Sequence, residues 1–272
     1  MTWSASEPAQ GYIGFPEGSL GERSVRLPIW HDAPGFFVLA KPGGILVQPD
    51  PWFQRVPSLS EAIASQLVLG KPELQRLGIE EDGLRPTYIL PPSAEGAVVW
   101  SKTHAKAEEL RNSYGSEQWT LRFELLAVSE PRESSIFCDL PVARHWQHAQ
   151  AIVSHTSGKK TETRFDRVAK VGRYSLWIAE TRFYRLDHIC LHAYERGLRV
   201  LGDERYARSL VPMLSDLKRD YRPGRREELP LWHGPAMRLK ELEGPKELGI
   251  PRLELPASKA WQRLLQTLGR YS

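Results

Sequence analysis

The sequence has few cysteines and no long hydrophobic segment, and both absences narrow the classes of protein to which it can belong. Only Cys138 and Cys190 occur in 272 residues. Neither has a C-x-x-C partner or a nearby group of metal-ligating residues, so a disulfide framework and a metal site are not predicted. The low cysteine content favours a reducing, cytoplasmic location. No apolar run reaches about 18 residues, so neither a membrane-spanning helix nor a membrane partner is predicted.

The first residues also lack the features of a targeting signal. The segment MTWSASEPAQGYIGFPEG has neither a basic start nor an apolar core, and we therefore expect no secretion signal. The composition is typical of a globular protein, with 41% hydrophobic and 26% charged residues. The net charge of +4 and the pI near 9.0 favour polyanionic partners without establishing nucleic-acid binding.

The hydrophobic patterns predict one mixed α+β domain over residues 29–272, preceded by an irregular arm over residues 1–28 that is rich in Gly, Pro, Ser and Glu. Alternating or continuous apolar residues predict strands over 36–41, 45–49, 97–102, 119–128 and on both sides of Gly172. Helices are predicted over 58–67, 103–115, 189–197 and 258–272.

One loop raises a question about chemistry. RPTYILPPSAEG, residues 85–96, lies between two predicted strands, which suits an active-site loop. It has no ionised group between Arg85 and Glu95, and two prolines occupy its centre. A site built on the centre of this loop would have to act without a charged side chain between Arg85 and Glu95.

Four stretches of the chain, in matching order and spacing, resemble the RluA-type RNA pseudouridine synthases. They are VLAKPGGILVQP, EGAVVWSKTHAKAEELRNSY, LPVARHWQHAQAIVSHTSGKKTETRFDRV and RLDHICLHAYERGLRVLGDERY. They are similar to the family's K-P-x-G strand, its S-G-x-x-x-x-A-K segment, its P-I-x-R…G-K-x-A-x-T stretch, and its R-x-H-Q-I-R-x-H…G-D-x-x-Y stretch. The resemblance extends from about residue 29 to about residue 265.

The resemblance implies a mixed, mainly antiparallel β-sheet with flanking helices and a central cleft. Family enzymes flip a uridine out of structured RNA into that cleft. An aspartate attacks the nucleotide covalently, and no metal or cofactor takes part. The implied partner is structured RNA, either ribosomal or transfer RNA, and a monomer is expected. Because only about 28 residues precede the matching region, the choice of target is expected to lie with the domain itself.

The family's catalytic positions are occupied here by residues that lack the corresponding chemistry. The family motif H-R-L-D-x-x-T-S-G falls on residues 88–96, with Ile89 at the arginine and Pro91 at the aspartate. Phe123 stands at the active-site tyrosine, and Cys190 at the arginine that pairs with the aspartate. Proline offers neither a carboxylate nor an N–H group. Losing the aspartate and the arginine together avoids leaving a buried charge without its partner, so the resemblance implies a catalytically inactive member.

Two other groups near the predicted cleft carry possible chemistry. Asp187 falls on the family's histidine in R-x-H-Q-I-R and belongs to an R-L-D sequence that lacks the catalytic context. It is either a displaced nucleophile or a solvated or salt-bridged aspartate beside Arg185. Cys190, between His188 and His192, is either a nucleophile or metal ligand, or a buried structural cysteine.

Cations in the matching stretches are the candidates for RNA contact. By resemblance to the family's positively charged cleft, the predicted RNA-binding residues are Lys41, Arg144, His145, Lys159, Lys160, Arg185 and His192. A basic loop over residues 218–226 is either a solvated face or a further RNA contact. Five tryptophans are more typical of a core or its flank than of stacking platforms: Trp30, Trp52, Trp100, Trp119 and Trp177.

Three functions stay open from the sequence. The first is an inactive pseudouridine synthase fold that binds RNA. The second is an active pseudouridine synthase that uses a displaced carboxylate such as Asp187. The third is a protein-interaction module that has lost RNA binding, and Lys41, Arg144, Lys159 and Lys160 argue against it.

Overall fold

The computed structural model describes residues 10–80, 82–185, 187–222, 224 and 227–271. The strands, in chain order, are β1 (Gly11–Phe15), β2 (Val25–Ala33), β3 (Phe36–Lys41), β4 (Arg85–Pro86), β5 (Gly96–Ser101), β6 (Thr120–Ser129), β7 (Ser135–Cys138), β8 (Val142–Arg144), β9 (Ala151–Val153), β10 (Thr163–Val171), β11 (Tyr174–Thr181), β12 (Arg199–Val200), β13 (Met237–Glu243) and β14 (Leu253–Glu254). The helices are α1 (Leu59–Val68), α2 (Pro72–Leu77), α3 (His104–Tyr114), α4 (His188–Glu195), α5 (Leu214–Leu217) and α6 (Lys259–Tyr271), with short 3₁₀ helices at Pro51–Phe53 and Lys246–Leu248.

Two antiparallel sheets and a separate hairpin organise these elements. The smaller sheet has the order β1-β2-β3-β5-β4, and the larger has the order β14-β13-β6-β11-β10-β7, with β12 also paired to β6. Strands β8 and β9 form the two-stranded hairpin. The predicted α+β fold with mainly antiparallel sheets is therefore confirmed. Among the described residues, no helix has the length and apolar character that crossing a bilayer requires.

Several elements form where local sequence rules place them. Helix α1 begins after Ser58, whose hydroxyl accepts from the backbone N–H of Glu61 at 3.4 Å, as an N-cap residue does. The same hydroxyl donates to the Glu61 carboxylate at 2.7 Å. The alternating residues of β6 place Leu121, Phe123 and Leu125 on one buried face. The turn at Gly172, which has a φ of 59°, joins β10 to β11 as predicted.

The prediction of an irregular arm over residues 1–28 is corrected for the described residues from 10 onward. Strand β1 pairs along its whole length with β2. Ile13 and Phe15, at alternate positions of β1, are buried in the core. The short alternation is embedded among glycines and prolines, and the pairing with β2 gives it its strand geometry. Residue 28 lies inside β2, so the predicted boundary does not separate two structural units.

The second strand predicted over 45–49 is not formed. After the turn at Pro42-Gly43-Gly44, the chain makes a single bridge, between Leu46 and Ser58. The Leu46 N–H donates to the Pro57 carbonyl, and the Leu46 carbonyl accepts from the Leu59 N–H, both at 2.9 Å. The backbone groups of this segment therefore bind the start of α1 and not a neighbouring strand.

Hydrophobic clusters lie on both faces of the larger sheet. On one face, Phe123 and Leu125 belong to the cluster that also includes Val98 of the smaller sheet and Ile189 of α4. On the other face, Leu126 packs in a second cluster with residues of α6. Helix α6 therefore covers the back of the larger sheet, and α4 and the smaller sheet lie on its front.

The two sheets meet where strand β5 begins. The backbone N–H of Leu239 in β13 donates to the carbonyl of Glu95 at 2.8 Å. A Cβ atom added at Gly96 would lie 2.6 Å from the Leu239 Cβ and 3.2 Å from the Leu90 side chain. The sheets approach this closely because residue 96 has no side chain.

Replacement of Gly96 by alanine should lower the free energy of unfolding by about 1–3 kcal/mol, because the added methyl group overlaps Leu239. Urea denaturation of the purified variant measures this loss. Gly115→Ala is the matched control: nothing lies within 4 Å of a Cβ there and its φ is −91°, so the change should stay within about 0.5 kcal/mol. A Gly96→Ala variant as stable as the Gly115→Ala variant would contradict the close junction.

Candidate functional site

The loop at residues 91–94 is fixed by a buried ammonium group. The Lys41 ammonium donates to the carbonyls of Ala94 at 2.7 Å, Pro42 at 3.1 Å and Pro92 at 3.2 Å. The Gly44 N–H donates to the Pro92 carbonyl at 2.8 Å. The loop therefore receives from Lys41 the charge that it lacks itself, and this charge fixes its backbone conformation.

This placement corrects the prediction that Lys41 binds RNA. Its side chain is fully buried, and its three carbonyl partners use all three N–H groups of the ammonium. Burial lowers the pKa of Lys41 to about 7, an effect that the nearby Glu95 charge opposes. Lys41 is a structural residue of the loop and does not present a charge to solvent.

Glu95 is buried at the junction of the sheets. One of its carboxylate oxygens accepts from the Ser258 N–H at 3.2 Å. Burial raises the pKa of Glu95, while the neighbouring Ser258, Arg238 and Lys41 lower it. The carboxylate therefore stabilises the junction between the loop, β13 and the start of α6.

A cavity of about 330 Å³ lies beside this loop. Pro91 and Cys190 both line it, so the structure brings to one cavity the two positions that the sequence resemblance assigns to an aspartate and its arginine partner. Asp187, Arg205 and Phe53 also line the cavity. The cavity therefore contains a carboxylate and a guanidinium, both supplied from outside the 91–94 loop.

Asp187 is an ion-paired, buried aspartate, and its partner differs from the prediction. Its carboxylate pairs with the Arg205 guanidinium, which lies 5.8 Å from the centroid of the Phe53 ring. Arg185, the expected partner, donates instead to the Val142 carbonyl at 3.0 Å. Burial raises the pKa of Asp187 to about 6, although the Arg205 charge lowers it.

The remaining two family positions lie outside this cavity. Phe123 is fully buried, with its ring centroid 5.0 Å from that of Tyr184, so it acts as a core residue. Ile89 is 41% exposed and lines a second cavity of about 330 Å³ together with Arg144 and Arg185. The structure thus brings Pro91, but not Ile89, to the cavity that Cys190 lines.

Two histidines of α4 are buried. His188 Nε2 lies 3.1 Å from the Thr163 hydroxyl, and His192 Nδ1 lies 3.0 Å from the same hydroxyl. His192 Nε2 lies 2.9 Å from the Leu140 carbonyl. Burial lowers the pKa of His188 to about 3 and also lowers that of His192. The prediction that His192 binds RNA is therefore corrected: it is neutral and bonded within the core.

Cys190 has the surroundings of a structural cysteine. Its side chain is buried, and burial raises the pKa of the thiol well above its usual range, which disfavours the nucleophilic thiolate. Within the described ranges, no group of three or more His, Cys, Asp or Glu residues is arranged to hold a metal ion.

The other predicted RNA-binding cations lie at or near the surface. Arg144 and Arg185 line the second cavity, whereas Lys159 and Lys160 line a third cavity of about 300 Å³ that shares Phe183 with it. Arg144 is exposed and pairs with Asp50 at 3.0 Å. The exposed Lys159 lies 6.0 Å from the ring of Phe183, and Lys160 pairs with Glu162 at 3.2 Å. Exposed ion pairs of this kind are weak, about 0–1 kcal/mol, so a phosphate can replace the carboxylate. Arg185 and His145 are half-buried.

The basic loop over 218–226 is described only in part. Lys218 lies over the ring of Tyr271 in α6, 6.0 Å from its centroid. Arg225 and Arg226 lie outside the described residues. The described part of this loop therefore contacts the helix behind the larger sheet, on the face opposite to α4.

Sequence reasoning missed three residues that shape this region. Arg205 belongs to the matched G-D-E-R-Y stretch, and that match was the signal available for it. Phe53 sits in a short 3₁₀ helix that no motif marks. Trp146 is 80% exposed. The feature of the sequence that indicates this exposure is the run of polar residues on both sides of the tryptophan.

Comparison with known proteins identifies the fold. No protein-family model matches the sequence, and no curated protein matches it either. The solved structure of "Human RNA Pseudouridylate Synthase Domain Containing 4" aligns with a TM-score of 0.61, 14% identity, and coverage of 88% of this chain and 92% of that chain. "Human RNA Pseudouridylate Synthase Domain Containing 1" aligns with a TM-score of 0.52, 17% identity, and coverage of 89% and 94%. The chain has the pseudouridine synthase fold.

Within this pseudouridine synthase fold, the raised pKa of Asp187 gives a pH-dependent stability. An unfolded aspartate has a pKa near 3.9, whereas the folded value is about 6. The folded state therefore binds more protons between about pH 4 and pH 6. This contribution to stability is fully present below about pH 4 and is lost as the pH rises through about 6.

Asp187→Asn should remove this dependence, because the amide cannot ionise. Relative to the wild type, the fall in unfolding free energy between about pH 4 and pH 7 should be smaller by up to about 3 kcal/mol. Denaturant unfolding at a series of pH values measures both profiles. If the two profiles run parallel, the buried carboxylate does not titrate as its environment indicates.

Proposed function

We propose that this protein binds structured RNA through a pseudouridine synthase fold and does not form pseudouridine. The observation that carries this proposal is that Pro91 and Cys190 line the same cavity. By the resemblance of the sequence, these positions hold the nucleophilic aspartate and its arginine partner in RluA-type enzymes. A proline and a neutral thiol provide neither nucleophile nor counter-charge.

Charge and surroundings support RNA as the partner. Arg144 is exposed at the second cavity, and Lys159 and Lys160 are exposed at the third, which shares Phe183 with it. The chain carries a net charge of +4. The two neighbours with the same fold carry "RNA Pseudouridylate Synthase" in their names. Phosphate contacts by such cations give affinity without reading sequence. We therefore propose ribosomal or transfer RNA as the class of target.

A second candidate function rests on Asp187. Its carboxylate lines the same cavity as Pro91 and is paired with the Arg205 guanidinium. This arrangement supplies, from other positions, the two charged groups that the resemblance implies are lost. With a pKa of about 6, the group is mostly ionised at neutral pH, as a carboxylate nucleophile must be. The second candidate is therefore an active synthase with a displaced nucleophile.

The purified protein should form no pseudouridine on ribosomal or transfer RNA transcripts, because no nucleophile stands at the position of Pro91. Chemical mapping of pseudouridine after incubation, with an active synthase as positive control, measures this directly. Product that disappears in the Asp187→Asn variant would replace the first proposal by the second. Product that persists in that variant would refute both assignments.

RNA affinity should fall steeply as salt rises, and the combined Arg144→Ala, Lys159→Ala, Lys160→Ala variant should bind at least about tenfold more weakly. A plot of the logarithm of the RNA association constant against the logarithm of the salt concentration has a negative slope. Removing three phosphate contacts should make this slope less steep by about 3. Fluorescence anisotropy with several structured RNAs of different sequence measures both effects.

The matched control removes three exposed cations from α6, on the back of the larger sheet, through Lys259→Ala, Arg263→Ala and Arg270→Ala. It lowers the net charge equally, so affinity unchanged within about twofold would assign the effect to position and not to total charge. Binding that ignores salt, or that survives the first triple substitution, would favour a protein-interaction module instead.

A further inference from the structure

Trp146 is a large aromatic side chain that the fold leaves in solvent. It lies in the connection between β8 and β9 and is 80% exposed. Trp30, Trp100, Trp119 and Trp177 are buried in the core, as is usual for this residue type. An exposed tryptophan contributes nothing to the core, so its position calls for another explanation.

The tip that holds Trp146 is ordered by its own hydrogen bonds. His145 Nδ1 accepts from the backbone N–H groups of Gln147 and His148, both at 3.1 Å. The rings of His145 and His148 stack with centroids 4.6 Å apart. The backbone N–H of His145 donates to the Gln150 carbonyl at 2.9 Å. The tip therefore presents the indole from a defined turn, which lowers the entropy cost of stacking on a partner.

The hairpin is also tied to the cavity wall. The Tyr206 hydroxyl accepts from the Ala151 N–H at 2.8 Å and donates to the Ala151 carbonyl at 2.9 Å. Tyr206 lines the cavity that holds Asp187. Arg185 donates to the carbonyl of Val142 at the other strand of the hairpin. Whatever binds beside the cavity therefore lies within reach of the hairpin.

The composition of the hairpin region, with cations and an exposed tryptophan, favours a binding partner that is a polyanion and has flat aromatic rings. Residues 140–161 contain no aspartate or glutamate, while they include Arg144, Lys159, Lys160 and three of the eight histidines. A tryptophan that docks into a protein sits at the centre of an apolar patch. The neighbours of Trp146 in sequence are instead His145, Gln147 and His148. A nucleic acid supplies both the phosphates and the bases that this combination fits.

We infer that Trp146 stacks on an unpaired base of the RNA that lies along the cleft, with the β8–β9 hairpin as its rigid support. This inference rests on the proposed RNA binding and adds the residue that contacts a base. The cations at the hairpin contact phosphates, and the indole binds the face of a base that is not stacked in a helix. Because the indole needs a base that is not stacked in a helix, the protein should prefer RNA with unpaired nucleotides over a continuous duplex.

The test uses the full chain and a stem-loop RNA whose unpaired loop carries 2-aminopurine. Trp146→Ala should weaken binding about five- to a hundredfold and abolish the quenching of 2-aminopurine by the protein. Trp146→Phe should retain most of both effects, because a phenyl ring also stacks. The slope of affinity against salt should be unchanged in Trp146→Ala, since no phosphate contact is lost.

Tyr12→Ala is the matched control, because Tyr12 is an aromatic residue of the smaller sheet that is 45% exposed and has Arg26 over its ring. It should bind the RNA as the wild type does. Wild-type affinity and quenching in Trp146→Ala would overturn the stacking inference and leave the proposed RNA binding standing. Absence of RNA binding by the wild type would overturn both.

Discussion

The fully buried ammonium of Lys41 is the constraint that holds the loop beside the cavity lined by Pro91 and Cys190. A charge at this depth costs several kcal/mol unless it is paired, and burial accordingly lowers the pKa of Lys41 to about 7. Its hydrogen bonds to the carbonyls of Pro92 and Ala94 and the nearby Glu95 charge offset this cost. The residue after Ala94 joins the two sheets, because the backbone carbonyl of Glu95 accepts from the Leu239 N–H. The loop that Lys41 holds therefore leads directly into the sheet junction.

This constraint explains why a loop without ionised side chains forms a defined cavity wall. Lys41 fixes the backbone of this loop through the carbonyls of Pro92 and Ala94. The charges in the cavity come from other parts of the chain, where Asp187 and Arg205 pair next to Phe53. Scaffold and charge are therefore supplied by separate parts of the chain, and either can change while the other persists.

The sequence predicts those features that local rules decide. The alternation of β6, the start of helix α1 near residue 58 and the turn at Gly172 depend on neighbours within a few residues, and each is formed as predicted. The burial of Lys41 does not follow from the sequence, because two of its three carbonyl partners lie 51 and 53 residues along the chain. No local pattern distinguishes a buried lysine from an exposed one. The partner of Asp187, Arg205, is 18 residues away and becomes a neighbour only once α4 has packed.

The carboxylate of Asp203 positions one residue that lines the cavity beside Asp187 and one residue that binds the β8–β9 hairpin. Asp203 accepts from the backbone N–H groups of Arg205 at 3.1 Å and Tyr206 at 3.2 Å. The turn that it holds directs Arg205 to the carboxylate in the cavity and Tyr206 to Ala151 of the hairpin. The ion pair of the cavity and the attachment of the hairpin are therefore built on one turn, Asp203 to Tyr206. A change of sequence in this turn would alter both at once, although neither contact includes Pro91 or Cys190.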